Sequence, residues 1–246
     1  MFMAAANRLA KLGYPMTPRQ QYVLSAIIEA YAKTAEPVSS MQLTGKIEVS
    51  SATIRAEMAE LERLGYIHQP HTSAGRVPTD KGYRLYVNNI EQLQADTRTS
   101  QAIAKRVASA GEVDRSIKMA VNSLVELTHN MGWAKLSDGL YLQGMASLFA
   151  QPELSDSGQA FEVARLVDSL DEWIDEVSHD DNRVTVFIGH ENPIGKNSGC
   201  SLIIARFASP YSDESYLGMI GPTRQNYPRV IGLMDYTSKM LEEMLA

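Results

Sequence analysis

The run Val49–Tyr86, VSSATIRAEMAELERLGYIHQPHTSAGRVPTDKGYRLY, decides what kind of chain this is. Ser50 is placed to cap a helix, since its hydroxyl can accept from a first-turn amide that has no partner inside the helix. Ile54, Met58 and Leu61 recur at helical spacing and make one apolar stripe. Ser51, Thr53, Arg55, Ala56, Ala59 and Arg63 are left on the other side. Gly65 suits the left-handed residue that ends a helix. Tyr66 and Ile67 then read as a short strand. The polar segment His68 to Arg76, with Pro70 and Gly75, reads as a loop or hairpin tip. Val77 is the return strand and Thr79 caps another helix. Helix, strand, wing, strand is the order of a winged helix-turn-helix.

The residue types suit DNA. Small side chains let the start of a helix enter a major groove, and an arginine there can bond guanine through two hydrogen bonds. Ser51, Ala52, Thr53 and Arg55 are the expected groove-facing residues. His71, Thr72, Ser73 and Arg76 on the wing are of types that contact the minor groove or the backbone, and Lys81 and Arg84 are placed for phosphates. Arg19, Ser39, Ser40 and Gln42 are further candidates for backbone contact, with plain helix capping and solvation as the alternative. An amphipathic helix followed by a hairpin occurs in many folds, so the same pattern also fits a module that binds protein.

The residues also match a family. The run 37–87, PVSSMQLTGKIEVSSATIRAEMAELERLGYIHQPHTSAGRVPTDKGYRLYV, resembles the N-terminal domain of the heat-inducible transcription repressor HrcA family. The blocks SSATIR, EMAELE, LGYI, QPHTSAGR and PTDKGYR carry the likeness. In the second half, GLYLQGMASLFAQPEL, RVTVFIGHENP, GCSLIIARF and YLGMIGPTRQNYPRVIGLMDYTSKMLEEML resemble pieces of the family's GAF-like dimerisation domain. The resemblance implies a homodimeric repressor of chaperone genes that binds an inverted-repeat operator in double-stranded DNA, with chaperonin assisting its active folding. The chain departs from the family pattern in one place. Leu127-Thr128-His129 reaches Gly139-Leu140-Tyr141 after only a few residues, where the family carries several strands and an inserted dimerisation subdomain. The expectation is a shortened member with a reduced half-sheet.

Composition sets outer bounds. The chain has 246 residues, enough for two domains with modest cores. It has 44% hydrophobic and 21% charged residues, ordinary for a globular protein. It holds no apolar run of about eighteen residues, so no membrane span is expected. MFMAAANRLAKLGYPM lacks the pattern of a signal peptide and reads as a tail or extra helix. The single cysteine, Cys200, excludes an internal disulfide framework and agrees with a cytoplasmic location. The net charge of −6 is unevenly spread. Residues 1–90 hold ten Lys and Arg against seven Asp and Glu, a balance of +3; residues 91–246 hold thirteen against twenty-two, a balance of −9. Phosphate can therefore meet the first part and is repelled by the second.

The expected class is α+β: residues 1–16 a tail, 17–90 the winged-helix domain, 91–112 a linker helix region, and 113–246 the reduced GAF-like domain. Thr17-Pro18-Arg19-Gln20 carries a capping box and an N1 proline, and Val23, Leu24, Ile27, Ile28 and Tyr31 give the first helix a buried face. Ser39 or Ser40 caps a short second helix. Further on, helices are expected near 103–107, at about 113–130 and at about 159–177, the last with Phe161, Leu166, Leu170, Trp173 and Val177 inward. Asp138-Gly139 marks a turn. Strands are expected at 140–142, 183–188, 200–207 and 216–220, and a final helix after Pro228 with Val230, Leu233, Met234, Thr237 and Leu241 on one face.

Other chemistry has weak support. Cys200 and His190 could form a nucleophile and base, but nothing in the sequence orients them. His179, Asp180, Asp181 and His190 could hold a metal, yet a solvated helix end explains them. No cofactor signature is present, and no enzyme is expected. The alternative function is a transcription regulator whose GAF-like half senses a small molecule.

Overall fold

The computed structural model describes residues 16–72, 74–93, 96–136, 139–154, 157–176 and 182–245. The expected tail, Ser73, Asp138, Val177 and the His179-Asp180-Asp181 group therefore lie outside the described residues, apart from Met16. The chain divides between Glu91 and Gln92 into two compact units.

The first unit runs α1 (Pro18–Thr34), α2 (Ser40–Leu43), α3 (Ser51–Arg63), β1 (Ile67–His68), β2 (Val77–Pro78) and α4 (Asp80–Asn88). Each start follows from its cap. Thr17 and Gln20 close the expected capping box on α1, and Ser39 with Gln42 closes a second on α2. Ser39, not Ser40, is thus the cap of the short helix. Val23, Leu24, Ile27 and Ile28 of α1 are buried with Leu43, Ile47, Ile54, Met58 and Leu61. The apolar stripe read from the recognition-helix sequence is this core.

The second unit contains α5 (Thr97–Ala108), α6 (Val113–Thr128), β3 (Met131–Leu136), β4 (Gly139–Gln143) and α7 (Met145–Phe149). It continues with α8 (Ser157–Asp168), α9 (Leu170–Glu176), β5 (Val184–Phe187), β6 (Cys200–Ser209), β7 (Ser212–Pro222) and α10 (Tyr227–Leu245). The five strands form an antiparallel sheet in the order β4-β3-β7-β6-β5. Helices cover both faces. On one side α6 packs on β3 and α10 on β6. On the other, Leu148, Val163, Leu166, Leu170 and Ile174 close over Met131, Trp133, Cys200, Leu202, Ile204 and Ile220. This explains why β6 reads as a continuous apolar run, since Cys200 to Ala205 are all buried.

Three sequence expectations change. Met131–Leu136 is a strand, and a central one, lying between β4 and β7. Its sequence MGWAKL has no β-branched residue, which hid it. The helix expected over 159–177 is two helices broken at Ser169. Phe161 is 64% exposed, whereas Val163, Leu166, Leu170 and Ile174 are buried. Phe161 precedes Val163 by two residues, which on a helix turns it to the opposite side.

Trp133 anchors the inner cluster. It is fully buried and pairs across β3–β7 with Gly218. A Cβ at residue 218 would lie 2.1 Å from the indole Cε2, so only glycine leaves room for the ring. Overpacking of this kind costs about 1–3 kcal/mol or more. Gly218→Ala is therefore expected to lower the unfolding free energy of the second unit by that amount, seen as a lower urea midpoint, and adding Trp133→Phe should recover part of it. Both tryptophans, Trp133 and Trp173, lie in this unit, so tryptophan fluorescence during urea unfolding reads the effect directly. For Gly218→Ala, trap the alternative by the same curve: an unchanged midpoint would mean the indole is not packed on residue 218.

Candidate nucleic-acid interface

The recognition helix α3 is built to show one narrow face. Ser50 caps it, accepting from the Thr53 amide at 3.2 Å. Its far end closes with Gly65 at φ +78°, the Gly65 amide donating to Glu62 O and the Tyr66 amide to Leu61 O, both at 2.9 Å. These two bonds satisfy the last carbonyls of the helix. With Ile54, Met58 and Leu61 buried, Ala52, Ala56, Ala59 and Arg63 line the opposite side, and all four are exposed. Arg55 stands beside this alanine stripe, exposed, with no hydrogen bond or ion pair among the described residues. Ala56 and Ala59 were not among the residues expected to face the groove. The signal for them was present: small side chains at i, i+4 and i+7 opposite the apolar stripe.

The other expected groove residues are locally engaged. Ser51 Oγ lies 3.0 Å from Ser40 Oγ, tying α3 to α2. Thr53 Oγ1 lies 2.9 Å from the Ser50 hydroxyl. Ser39 and Gln42 form the α2 capping box, and Arg19 is paired with Glu57 at 3.5 Å. Arg63 is paired with Glu60, whose carboxyl is held below the usual range chiefly by the hydrogen bond from Arg63. On α2, Met41 is 75% exposed, a surface residue that the sequence reading passed over.

The wing is held by one carboxylate. Glu62 accepts from Arg76 Nε at 3.0 Å, with Arg76 Nη2 at 2.8 Å, and from the Gln69 amide at 3.1 Å. Arg76 also pairs through its backbone with Val38, donating at 2.8 Å and accepting at 2.9 Å. At Gly75 the wing backbone presses on this connection, since a Cβ there would sit 2.6 Å from Val38 O. Across the loop, Gln69 Nε2 donates to Ala74 O at 3.0 Å. His71 and Thr72 stand exposed at the tip. Lys81 Nζ donates to Leu64 O at 2.8 Å and lies 4.5 Å from the Tyr66 ring centre, so it closes the C-terminal end of α3. Arg84 is half-buried and has its own partner. Arg76, expected at the minor groove or backbone, and Lys81, expected on phosphates, thus hold the frame of the unit together in this structure.

The nucleophile reading has no chemical support. Cys200 is buried, and burial pushes its thiol up to about 12, leaving no thiolate near neutral pH. No helix among the described residues is long and apolar enough to cross a membrane.

Comparison with known proteins agrees with this geometry. The family model for the winged helix-turn-helix transcription repressor, HrcA DNA-binding, matches residues 15–92. The model for the HrcA protein C-terminal domain matches residues 85–231. The heat-inducible transcription repressor HrcA of Brevibacillus brevis is 26% identical over a 334-residue alignment covering 94% of this chain and 98% of that protein. That of Geobacter sulfurreducens is 25% identical, with the same coverage of each chain. Since 94% of 246 residues is about 231, roughly 100 of the 334 aligned positions in the first of these have no counterpart here. A crystal structure described only as a hypothetical protein shares the fold, with a TM-score of 0.75 at 21% identity over 92% of this chain and 98% of that one. The two family models together run from the wing-bearing unit through most of the five-stranded sheet unit, and the chain belongs to the HrcA family of winged helix-turn-helix transcription repressors.

Proposed function

We propose that this chain is a cytoplasmic repressor of heat-shock genes that binds an inverted-repeat operator as a homodimer. The observation that carries the DNA-reading part is the exposed face of α3, where an alanine stripe runs beside the unengaged guanidinium of Arg55. Methyl groups allow the helix backbone close to the base edges and can meet thymine methyls, and Arg55 supplies a two-pronged donor for guanine. Ala52 and Arg55 make the base contacts. Ser51, through its bond to Ser40, fixes the start of α3 against α2, and Thr53, through its bond to Ser50, closes the first turn that enters the groove. His71, Thr72 and Ser73 of the wing follow the backbone or minor groove, with Arg76 holding the wing and Lys81 and Arg84 following it on α4. The balance of +3 in residues 1–90 is small, so two copies on one operator supply the affinity through effective concentration. The relatives are heat-inducible transcription repressors, and this motivates the choice of target genes.

The first test compares an inverted-repeat operator with scrambled DNA of equal length. The reading expects preference for the operator by about 10³-fold or more, the range of specific binders. Equal binding of both DNAs, with a steep salt dependence, would leave only phosphate contact and overturn it.

The wing clamp gives a separate expectation. Arg76→Ala leaves the half-buried Glu62 carboxylate with only the Gln69 amide as donor, and Glu62→Ala strands the Arg76 guanidinium. Hydrogen bonds to charged groups contribute about 1.5–3 kcal/mol when fully formed; with both side chains partly exposed, a loss of about 1–2 kcal/mol is expected in either variant. Each should lower the melting point of the first unit and weaken operator and scrambled DNA together. An Arg76→Ala protein with native stability and a selective loss of operator binding would instead put Arg76 on a base.

Chaperonin control extends the same proposal. Refolding from denaturant should yield more operator-binding protein when chaperonin and ATP are present than when they are absent. Equal recovery in both conditions would remove that part of the reading. The small-molecule alternative has no observation in its favour on the sheet face under α7, α8 and α9, which is packed with Trp133, Leu166, Leu170 and their neighbours.

A further inference from the structure

The five-stranded sheet ends on two outer strands, β4 and β5. Outer strands present unpaired N–H and C=O groups, and proteins usually blunt them with charge, proline or a bulge. The β5 side carries a charge next to the strand. Arg183 stands at its start in an ion pair with Glu242, and Thr185 and Val186 are engaged in further interactions.

The β4 side differs. Gly139, Leu140, Tyr141, Leu142 and Gln143 include no charge and no proline. The strand pairs with β3 in unbroken register from Gly139 to Gln143. Leu140 and Leu142 are half-buried and pack against the main apolar cluster, so that cluster runs out to the edge of the sheet. On the opposite face Tyr141 is fixed, donating to Asn122 Oδ1 at 2.8 Å with Lys118 5.6 Å from its ring centre. The strand is therefore regular in register, uncharged and backed on both faces by side-chain contacts.

We propose that β4 pairs antiparallel with β4 of a second copy of this chain, on a twofold axis at Tyr141, joining two five-stranded sheets into one. The proposal deepens the homodimeric reading above and rests on it for the need of a twofold. The strand's own sequence suits that occupant. Antiparallel pairing centred on Tyr141 sets Leu140 of one copy opposite Leu142 of the other, and Gly139 opposite Gln143. No like charges meet, and the apolar pairs lie on the face already continuous with the core. Both contacts occur twice, as an isologous interface requires. One five-residue strand pair is small beside a standard interface of about 1,600 Å², so the dimer is expected to depend on concentration.

The test uses the full chain. Cys200 is the only cysteine and is buried, so Tyr141→Cys introduces the one accessible thiol. Two such residues face each other across the axis within disulfide reach, while Leu140→Cys faces Leu142. Under mild oxidation Tyr141→Cys should give about tenfold more covalent dimer than Leu140→Cys, and a mixture of Leu140→Cys and Leu142→Cys chains should regain it. Hydrogen exchange on the native chain gives a second readout that needs no substitution. Amides in 139–143 should slow as concentration rises, in step with the dimer fraction from sedimentation. A native dimer whose β4 amides exchange at one rate throughout overturns the β4 pairing alone. A chain that stays monomeric while discriminating its operator overturns both this pairing and the homodimeric reading. A β4-paired dimer that fails to discriminate leaves the pairing standing and overturns the operator reading.

Discussion

Glu62 is the residue on which the geometry of the DNA-binding unit turns. It sits near the end of α3, and its carboxylate receives Arg76 from one side of the wing and the Gln69 amide from the other. Because Arg76 is also bridged to Val38, one cluster joins recognition helix, wing and the connection between α1 and α2. An isolated two-residue hairpin such as β1–β2 is marginal alone. The clamp converts it into a fixed projection of α3. Lys81, on the Leu64 carbonyl and the Tyr66 ring, holds the same corner from α4. Rigid placement matters because base readout requires several side chains to arrive at once, and the charge surplus of the unit is too small to compensate for a poor fit.

The division of labour among charged residues follows from this. Arg19, Arg63 and Arg76 of the first unit are matched with carboxylates on α3, at Glu57, Glu60 and Glu62. These pairs neutralise the acidic side of α3. Arg55 is left beside the alanine stripe. The second unit is organised differently, around an indole. Trp133 on the central strand β3 needs Gly218 beside it and the caps of α7, α8 and α9 above it. Its packing gives a filled core to a chain that lacks roughly 100 of the positions aligned in a relative.

Much of this could be read from the sequence, for identifiable reasons. The caps at Thr17, Ser39 and Ser50 and the stripe Ile54, Met58, Leu61 are local signals, and local signals locate helices. The stripe of α10 was legible for the same reason, and its five expected residues are all buried. The strand β3 was not. Its residues become strand by lying between two partners, a non-local cause that leaves no period in MGWAKL. The engaged states of Ser51, Arg76 and Lys81 were hidden likewise. Residue type shows what a side chain can bond; Ser40, Glu62 and Leu64, which are 11, 14 and 17 residues away, decide what these bond here.

The central claim is that Arg55 on the alanine face of α3 reads the operator. The direct measurement is binding of native and Arg55→Ala proteins to operator and scrambled DNA across a salt series. The account predicts that Arg55→Ala loses about 1–3 kcal/mol of discrimination per half-site. It also predicts nearly native binding to scrambled DNA and unchanged thermal stability. An Arg55→Ala protein that still prefers the operator as strongly as the native chain would contradict it.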